Sequence, residues 1–278
     1  MSLNIKRTDR KWFLTPVKKN IYTYQMIEDG DRVAIGLSGG KDSSTLFYIL
    51  SALQKQMPIK FDLVPITLTM GFDGMDITPL INFVSSLDSK LHIEPTLIGK
   101  IVFDIRQEKN PCALCANLRR GALYEAAKKL NCNKVALGHH LDDAVETFFM
   151  NLIFNGQMGL FQPKSYLDRT DITLIRPLIS VEESSIIKIA ENKNIPIVKN
   201  PCPANKKTKR EEIKQLVSSL SKEYTDIRYK FLCAVQNVSL DNFWNPEHYN
   251  SEVGSQRSKK TRRGGTPAAR NTEAKKRP

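Results

Sequence analysis

The hexapeptide Ser38–Ser43, SGGKDS, has a composition and spacing suited to binding a polyphosphate. It follows the apolar run Asp31–Leu37 and opens a segment with helical periodicity. Two glycines let the backbone approach an anion, and the N–H groups of a helix N-terminus attract negative charge, while Lys41 and two serine hydroxyls add donors. The glycine spacing excludes a Walker A loop, and Asp42 stands where that motif has its magnesium-binding hydroxyl. The segment therefore predicts a phosphate loop of another kind.

Three cysteines are placed as ligands of a metal centre. Cys112 and Cys115 precede a predicted helix, whose N-terminus favours thiolates, and Cys202 follows much later among prolines and basic residues. Cys132 and Cys233 lie in apolar patterns and are predicted to be buried packing residues. A closed zinc site needs four ligands, whereas three cysteines leave one iron of a [4Fe–4S] cluster open. An iron–sulfur cluster is the favoured hypothesis, and a zinc site remains the alternative.

A second polar turn follows the apolar segment Lys134–Leu137. It reads Gly138-His139-His140-Leu141-Asp142-Asp143, with the two carboxylates opening a predicted helix. Beside a bound triphosphate, such carboxylates would be magnesium ligands or acid–base groups. Helix capping also explains acidic residues at this position. Because parallel strands end at one edge of a sheet, proximity to the phosphate loop favours the functional interpretation.

The elements that must position these residues alternate between strands and helices, which is typical of parallel βαβ units. We therefore expect an α/β fold with a doubly wound, mostly parallel sheet and a helical C-terminal extension. Predicted domain bounds are a basic leader at 1–27, the catalytic domain at 28–240 and a basic disordered tail at 241–278. Predicted strands are Asp31–Leu37, Phe61–Leu68, Leu91–Thr96, Ile98–Phe103 (a strand or connector), Lys134–Leu137 and an edge strand Ile172–Ile175. Predicted helices are Asp42–Lys55, Ile77–Leu87, Leu114–Leu130, Asp142–Phe154, Val181–Asn192, Lys209–Ser219 and Tyr224–Asn237.

The charge of the chain favours a polyanionic partner. Its formal net charge is +13, and residues 251–278 carry nine Lys or Arg against two Glu. That tail is either a solubilising terminus or a polyphosphate-binding arm. Neither a membrane-length apolar run nor a secretory leader is visible, and the odd number of cysteines argues against a disulfide framework, so we expect a cytoplasmic protein.

Together, these motifs resemble the tRNA 2-thiocytidine synthetases, a cluster-dependent branch of the PP-loop ATP pyrophosphatases. SGGKDS is the signature of the PP-loop. The similarity extends from about Met26 to Val238 through CALCANLRRGALY, ALGHHLDDAVETFFMNLIFNGQM, QPK, IRPL and AVQNV. It departs from the family around Cys202, where PCPANKKTKREEI lacks a second cysteine and carries extra lysines, and in the turn GFDGMD after the second strand.

The resemblance implies an enzyme that uses Mg–ATP to adenylate O2 of an anticodon-loop cytidine in tRNA. Sulfur held on a [4Fe–4S] cluster then displaces AMP. It also implies a cysteine desulfurase as sulfur donor and a homodimer. By position, it assigns ATP binding to Ser38, Gly39, Gly40, Lys41, Asp42, Ser43, Gly138, His139 and Arg176, catalysis to Asp42 and Asp142, the cluster to Cys112, Cys115 and Cys202, possible magnesium binding to Asp142 and Asp143, and RNA contacts to Arg119, Arg120 and Lys164.

Two other functions remain open. A PP-loop ATPase could modify a different RNA base, either by 2-thiouridine-type chemistry or by nitrogen transfer as in lysidine synthetases. Nitrogen transfer gives no role to three positioned cysteines. A redox-sensing RNA-binding protein would need basic and aromatic surface residues, but neither SGGKDS nor paired aspartates.

Overall fold

A computed structural model describes residues 10–72, 74–107, 111–198, 202 and 209–239. The predicted tail at 241–278 lies outside these residues. By internal contacts the chain divides into Met1–Leu232, which contains the whole sheet, and Cys233–Pro278. The strands are β1 Arg32–Gly36, β2 Asp62–Thr69, β3 His92–Pro95, β4 Lys134–Ala136, β5 Lys164–Leu167 and β6 Ile172–Ile175. The helices are α1 Thr15–Thr23, α2 Lys41–Gln54, α3 Thr78–Ser85, α4 Pro111–Lys129, α5 Leu141–Asn155, α6 Glu183–Asn192, α7 Lys209–Glu223 and α8 Ile227–Gln236.

The six strands form one sheet in the order β3-β2-β1-β4-β6-β5. All pairs are parallel except β5 with β6, which are antiparallel. From β1 the chain builds outward through β2 to β3, and then returns to add β4 on the other side of β1. The strand order reverses between β1 and β4, and open α/β sheets bind ligands beyond the carboxyl ends of strands at such a point. The predicted doubly wound, mostly parallel sheet is confirmed.

Helices cover both faces of the sheet. The larger hydrophobic core joins α1, α2, α3 and α6 to the strands, and a second core joins α4 to β1, β2, β4 and β6. Helix α1 belongs to the larger core, because Val17 and Ile21 are fully buried and the Asn20 side chain donates a 2.8 Å hydrogen bond to the Pro177 carbonyl. Residues predicted to form a separate leader thus pack against the sheet domain.

Three details differ from the sequence-based expectations. The segment expected as a strand at Ile98–Phe103 is helical, as Ile98–Lys100 followed by a π-helical turn at Ile101–Ile105. Strand β6 is internal rather than at the edge, because the unpredicted strand β5 pairs with its outer side. Helix α4 begins at Pro111, so Cys112 and Cys115 lie inside its first turns. The prediction that Cys132 is buried is confirmed, whereas the Cys233 side chain is only partly buried.

Candidate functional site

The loop Ser38–Ser43 joins the carboxyl end of β1 to α2. Gly39 has φ = 79°, and a Cβ built there would lie 2.9 Å from Cβ of Val198, so both its backbone conformation and its neighbour require glycine. The loop is held from inside, since the Ser38 backbone N–H donates to Oγ of Ser43 at 3.1 Å and the Gly40 N–H to Oγ of Ser38 at 3.3 Å. Gly40 is the N-cap of α2 and has no capping side chain. The first backbone N–H groups of α2 are therefore not occupied by a side-chain cap, as an anion site requires.

The second polar turn lies directly against this loop. A Cβ on Gly138 would be 3.0 Å from both the Asp42 carbonyl carbon and the Ser43 backbone nitrogen. Only a residue without a side chain allows the two turns to approach so closely. The two motifs predicted to share the sheet edge thus touch through their backbones.

A cleft of about 570 Å³ opens between these turns and α4. This volume is in the range of pockets that hold nucleotide-sized ligands. Apolar residues of β2 line one part, and arginines from several elements line another. Its lining includes Ser38, Asp42, Ser43, Ile66, Leu68, Met70, Arg119, Arg120, Tyr124, Gly138, His139, Asp143, Arg176 and Arg210. Most of the predicted nucleotide residues, together with Arg119 and Arg120, thus meet in one cleft.

Lys41 is held by two carboxylates rather than extended into solvent. Its Nζ lies 2.8 Å from Oε1 of Glu183 and 3.2 Å from Oδ1 of Asp42. Burial lowers the pKa of Lys41, but the hydrogen bond to Glu183 and the charge of Asp42 outweigh burial and raise the pKa above its usual value. For Glu183, burial acts in the opposite direction and raises the pKa. Lys41 and Lys214 outweigh burial and bring the pKa of Glu183 down to about 2. Lys41 is therefore charged at neutral pH and positioned by α6.

His139 and Arg176 form a buried cationic corner of the cleft. Nε of Arg176 donates to Nδ1 of His139 at 3.3 Å, and its Nη1 donates to the Gln162 carbonyl at 2.5 Å. Both side chains pack on the ring of Phe161, at 5.0 Å from its centroid. Burial is the largest cause that brings the pKa of His139 down to about 4; the charge of Asp143 opposes this shift, and the charge of Arg176 adds to it. His139 is therefore neutral at pH 7 and can accept the bond from Arg176.

The two aspartates that open α5 have different surroundings. Asp142 lies outside the cleft, where its Oδ2 accepts from the Glu183 backbone N–H at 2.7 Å and its Oδ1 from Nε of Arg228 at 2.6 Å. Asp143 lines the cleft, accepts from the His140 backbone N–H at 3.0 Å and pairs with Arg210 at 3.0 Å. The contacts of Asp142 are those of a residue that joins helices. Its catalytic and magnesium-binding roles stay predictions, whereas Asp42 and Asp143, for which such roles were also predicted, line the cleft.

Two of the three predicted cluster ligands, Cys112 and Cys115, lie in the first turns of α4, and Cys202 influences the second of them electrostatically. Burial raises the pKa of the Cys115 thiol, Arg119 opposes this, and the neighbouring thiols of Cys202 and Cys112 raise it further. Cys202, distant in sequence, is therefore within electrostatic range of Cys115. Cys112 and Cys202 are exposed, and Cys115 packs beside Met70, which lines the cleft. Within the described residues, no three His, Cys, Asp or Glu side chains are close enough to share a single metal ion.

Lys164 is the predicted RNA-binding residue that lies apart from the cleft. It begins β5, and its Nζ donates to the Gln25 carbonyl at 2.5 Å. It lines a different depression, together with residues such as Asp31 and Lys134. Its contact with the N-terminal segment favours a structural role.

Sequence reasoning missed several residues that contact the site. Glu183 and Lys214 were not singled out, because an acid in the first turn of one helix and a lysine inside another are common surface patterns. The only hint in the sequence was the family motif at Ile175–Leu178, which lies five residues before Glu183. Buried Glu146 was also missed: burial raises its pKa to about 7, although Arg210 lies 3.4 Å away.

Comparison with known proteins agrees with this geometry. Residues 13–220 match the family model described as a PP-loop domain. The tRNA-cytidine(32) 2-sulfurtransferase of Geobacter sulfurreducens is 38% identical over 228 residues, covering 80% of this chain and 88% of that protein. The protein of the same name from Aliivibrio fischeri is 38% identical, covering 78% and 72%.

Among solved structures, the U34-tRNA thiolase NcsA from Methanococcus maripaludis with its [4Fe-4S] cluster superposes with a TM-score of 0.64. It is 26% identical, and the superposition covers 77% of this chain and 74% of NcsA. None of the helices in the described ranges is long and apolar enough to cross a membrane. From the phosphate loop, the second turn and these matches, the chain belongs to the PP-loop family, in the group of the tRNA-cytidine(32) 2-sulfurtransferases.

Proposed function

We propose that this protein is an ATP-dependent tRNA sulfurtransferase that replaces O2 of cytidine 32 with sulfur and releases AMP and pyrophosphate. The observation that supports the proposal is a phosphate loop lining a cleft, with Cys115 close to one side of that cleft and the thiols of Cys112 and Cys202 within electrostatic range of Cys115. Cys115 packs against a small apolar cluster that includes the cleft residue Met70, and the backbone N–H of Val198, four residues before Cys202, donates to the Gly39 carbonyl at 2.9 Å.

The phosphate loop supports the activation half of the reaction. Uncapped N–H groups of α2 and the ammonium of Lys41 would bind the β- and γ-phosphates of ATP. Asp42 and Asp143 line the cleft and would hold a magnesium ion, which would offset the negative charge of the triphosphate. Arg176 is fixed by His139 and would stabilise negative charge that develops on the α-phosphate.

The bonds balance in two displacements. First, O2 of the cytidine attacks the α-phosphorus of ATP, the bond from that phosphorus to the bridging oxygen breaks, and pyrophosphate leaves. Second, a sulfur nucleophile attacks C2 and the C2–O bond breaks, so that the oxygen leaves with AMP. Adenylation is required because the unmodified C2 oxygen is a poor leaving group.

The thiols fit a cluster better than a single ion. Each cysteine of a cubane cluster binds a different iron, so the three sulfurs stand farther apart than on one zinc ion, where they would be roughly 3.8 Å apart. The described thiols interact electrostatically without being close enough for one ion. Cys112, Cys115 and Cys202 would hold a [4Fe–4S] cluster, which would offer a binding site for the sulfur to be transferred; the Cys112 and Cys202 thiols are exposed and the Cys115 thiol is partly exposed.

The electrostatics of the chain favour tRNA as the substrate. Arg119, Arg120, Arg176 and Arg210 line one cleft, and the chain carries a net charge of +13. A cytoplasmic homodimer that receives sulfur from a cysteine desulfurase completes the proposal. Residues 251–278 would add phosphate contacts, and their removal would weaken tRNA binding and reduce its salt dependence.

Nucleoside analysis tests this function most directly. The protein is purified without oxygen, its iron and sulfide are reconstituted and quantified, and it is incubated with Mg–ATP, a sulfide source and unmodified tRNA. Digested tRNA is then examined by mass spectrometry. We expect about four irons and four sulfides per chain, ATP-dependent 2-thiocytidine at position 32, and one AMP per thiolated nucleotide.

Single substitutions assign the roles. Cys112→Ser, Cys115→Ser and Cys202→Ser should each lose iron and thiolation, while Cys233→Ser, a change at a partly buried cysteine in the second unit, should keep both. Lys41→Met should lose ATP turnover and retain iron. Appearance of 2-thiouridine at position 34 would reassign the substrate to that of the NcsA type, and stoichiometric zinc without iron would overturn the proposal.

A further inference from the structure

A solvent-facing tryptophan borders a groove on the α2–α6 side of the sheet. Trp12 is 63% exposed, whereas its neighbour Phe13 is only 3% exposed and belongs to the larger core. The groove, of about 250 Å³, lies between these two aromatic residues and the α6 residues Ser185, Lys188 and Asn192, with Lys193 directly after the helix. We call this surface the Trp12 groove. None of these residues contributes to the cleft described above.

The indole of Trp12 is held in place while its ring stays accessible. Phe13 and Leu14 anchor the backbone of this turn in the core. Nζ of Lys188 lies 6.0 Å from the centroid of the Trp12 ring, and Nζ of Lys193 lies 5.9 Å from that of Tyr48. Cations over aromatic rings orient both groups. An exposed, anchored aromatic ring beside ammonium groups is an arrangement on which nucleic-acid bases stack.

The charges around the groove match a phosphodiester backbone. Lys188 and Lys193 line it, and none of its described lining residues is acidic. Glu191 precedes Asn192 on α6, but this acidic residue does not line the groove. On helix α1, Nζ of Lys18 lies 5.8 Å from the centroid of the Tyr22 ring, and Tyr22 is 47% exposed. Trp12 and Tyr22 are thus two exposed aromatic residues that each lie beside a lysine.

Helix α6 connects this groove to the phosphate loop. Its first residue, Glu183, contacts Lys41 at 2.8 Å. At a rise of about 1.5 Å per residue, Lys188 lies about 8 Å and Asn192 about 14 Å farther along the helix. A nucleic acid that reaches the cleft is wide enough to contact both ends of α6.

We propose that the Trp12 groove is a second tRNA contact, in which Lys188 and Lys193 bind backbone phosphates and the Trp12 ring stacks on an unpaired base outside the reacting nucleotide. This inference rests on the proposed function, because the bound molecule is the same tRNA. The groove contributes affinity and register, and it takes no part in ATP binding or sulfur transfer. The stacked base can be of any identity, since every base offers a π-face.

The experiment measures binding of unmodified tRNA to the full-length protein over a range of salt concentrations. Trp12→Ala is expected to weaken binding about tenfold, and Trp12→Phe about threefold or less, because phenylalanine keeps a stacking face. Lys188→Gln should lower the slope of log Kd against log salt by about one. Tyr166→Ala and Lys55→Gln are matched controls, since Tyr166 is an exposed aromatic residue on β5 and Lys55 an exposed lysine at the end of α2. Both controls should bind like the wild type.

Separate readouts distinguish the two proposals. ATP binding in the absence of tRNA should be unchanged in Trp12→Ala, which also shows that this variant is folded. If the wild type binds no tRNA, the proposed function fails. If the wild type binds tRNA and Trp12→Ala and Lys188→Gln bind equally well, only the groove proposal is overturned. It is also overturned if Trp12→Ala changes the sedimentation of the protein while the affinity for tRNA stays the same, since the groove would then hold a second copy of the chain.

Discussion

Nζ of Lys41 lies 2.8 Å from the carboxylate of Glu183, so the lysine of the phosphate loop is held by the first residue of α6. The same carboxylate pairs with Lys214 of α7 at 2.9 Å. Glu183 therefore links the phosphate loop to two C-terminal helices. When ATP binds, this carboxylate keeps Lys41 charged and limits the directions in which its ammonium can point.

Replacing Glu183 with Gln should reduce stability in a pH-dependent way. The pKa of Glu183 is lowered to about 2, so its charged form stabilises the fold above the unfolded-state pKa of 4.5. That stabilisation disappears as the pH falls from 4.5 toward 2. With allowance for solvent screening, we expect Glu183→Gln to cost about 1–3 kcal/mol at pH 7. Urea unfolding between pH 8 and pH 3 should show a constant difference down to about pH 5 that narrows below it.

Glu183→Gln should also raise the KM for ATP, because Lys41 is then less well oriented. Glu182→Gln is the matched control, one residue earlier. An equal stability difference at pH 3 and pH 7 would contradict the charge argument, and an unchanged KM would separate Glu183 from nucleotide binding.

Gly138→Ala should disturb the phosphate loop more than the overall fold. The added Cβ would lie 3.0 Å from backbone atoms of Asp42 and Ser43, so the first turn of α2 must move. We expect loss of most ATP binding, measured by calorimetry, with the circular dichroism spectrum retained. At Gly121, on exposed helix α4, a Cβ meets no atom within 4 Å, so Gly121→Ala should stabilise by about 0.5–1 kcal/mol and bind ATP normally. Normal ATP binding by Gly138→Ala would show that the contact is not required.

Asp142→Asn and Asp143→Asn should have different effects. Asp142 is buried and accepts charge-assisted hydrogen bonds from Arg228 and from the start of α6, so its replacement should cost about 2–4 kcal/mol of stability. Asp143 faces the cleft, and its replacement should raise the magnesium concentration needed for half-maximal ATP turnover with a smaller loss of stability. Thermal melts and magnesium titrations measure the two effects. If only Asp142→Asn changed the magnesium requirement, the original sequence-based assignment would be restored.

His139 should remain neutral throughout the physiological range. Burial lowers its pKa to about 4, below the value of about 6.5 in an unfolded chain. Between these values the unfolded chain binds more protons, so the folded protein loses stability as the pH falls from 6.5 to 4. His139→Gln should remove this contribution, which unfolding at pH 7.5 and pH 5 can measure. An NMR titration with a His139 midpoint near 6.5 would contradict the prediction.

The sequence predicted the parts of the site that lie in continuous motifs. SGGKDS and the Gly138–Asp143 turn each follow an apolar strand and open a helix, and parallel strands bring such turns to one edge. The grouping of Cys202 with Cys112 and Cys115 followed from its proline-flanked, basic surroundings and from the resemblance, but no local pattern gives the distances between the three thiols. Cys112 and Cys202 each lie within electrostatic range of the Cys115 thiol.

Other features depend on contacts that no local pattern records. Strand β5 has only four residues, too few for a clear alternation, and β6 therefore looked like an edge. The apolar run Ile98–Phe103 was compatible with a strand or a helix, and packing of Val102 with Met70 coincides with the helical form. The hydrogen bond between Arg228 and Asp142 could not be predicted from the sequence, because the two residues are 86 positions apart.

The hydrogen bond from the Val198 N–H to the Gly39 carbonyl limits how far Cys202 can lie from the phosphate loop. Four residues span at most about 14 Å even when fully extended, so Cys202 stays close to the phosphate loop in every conformation of the chain between them. The length of the segment from Val198 to Cys202 is therefore constrained more strictly than the identity of its residues. Residues inserted between 198 and 202 would lower the effective concentration of the Cys202 thiol near the cleft. A longer turn between β5 and β6 would leave that concentration unchanged.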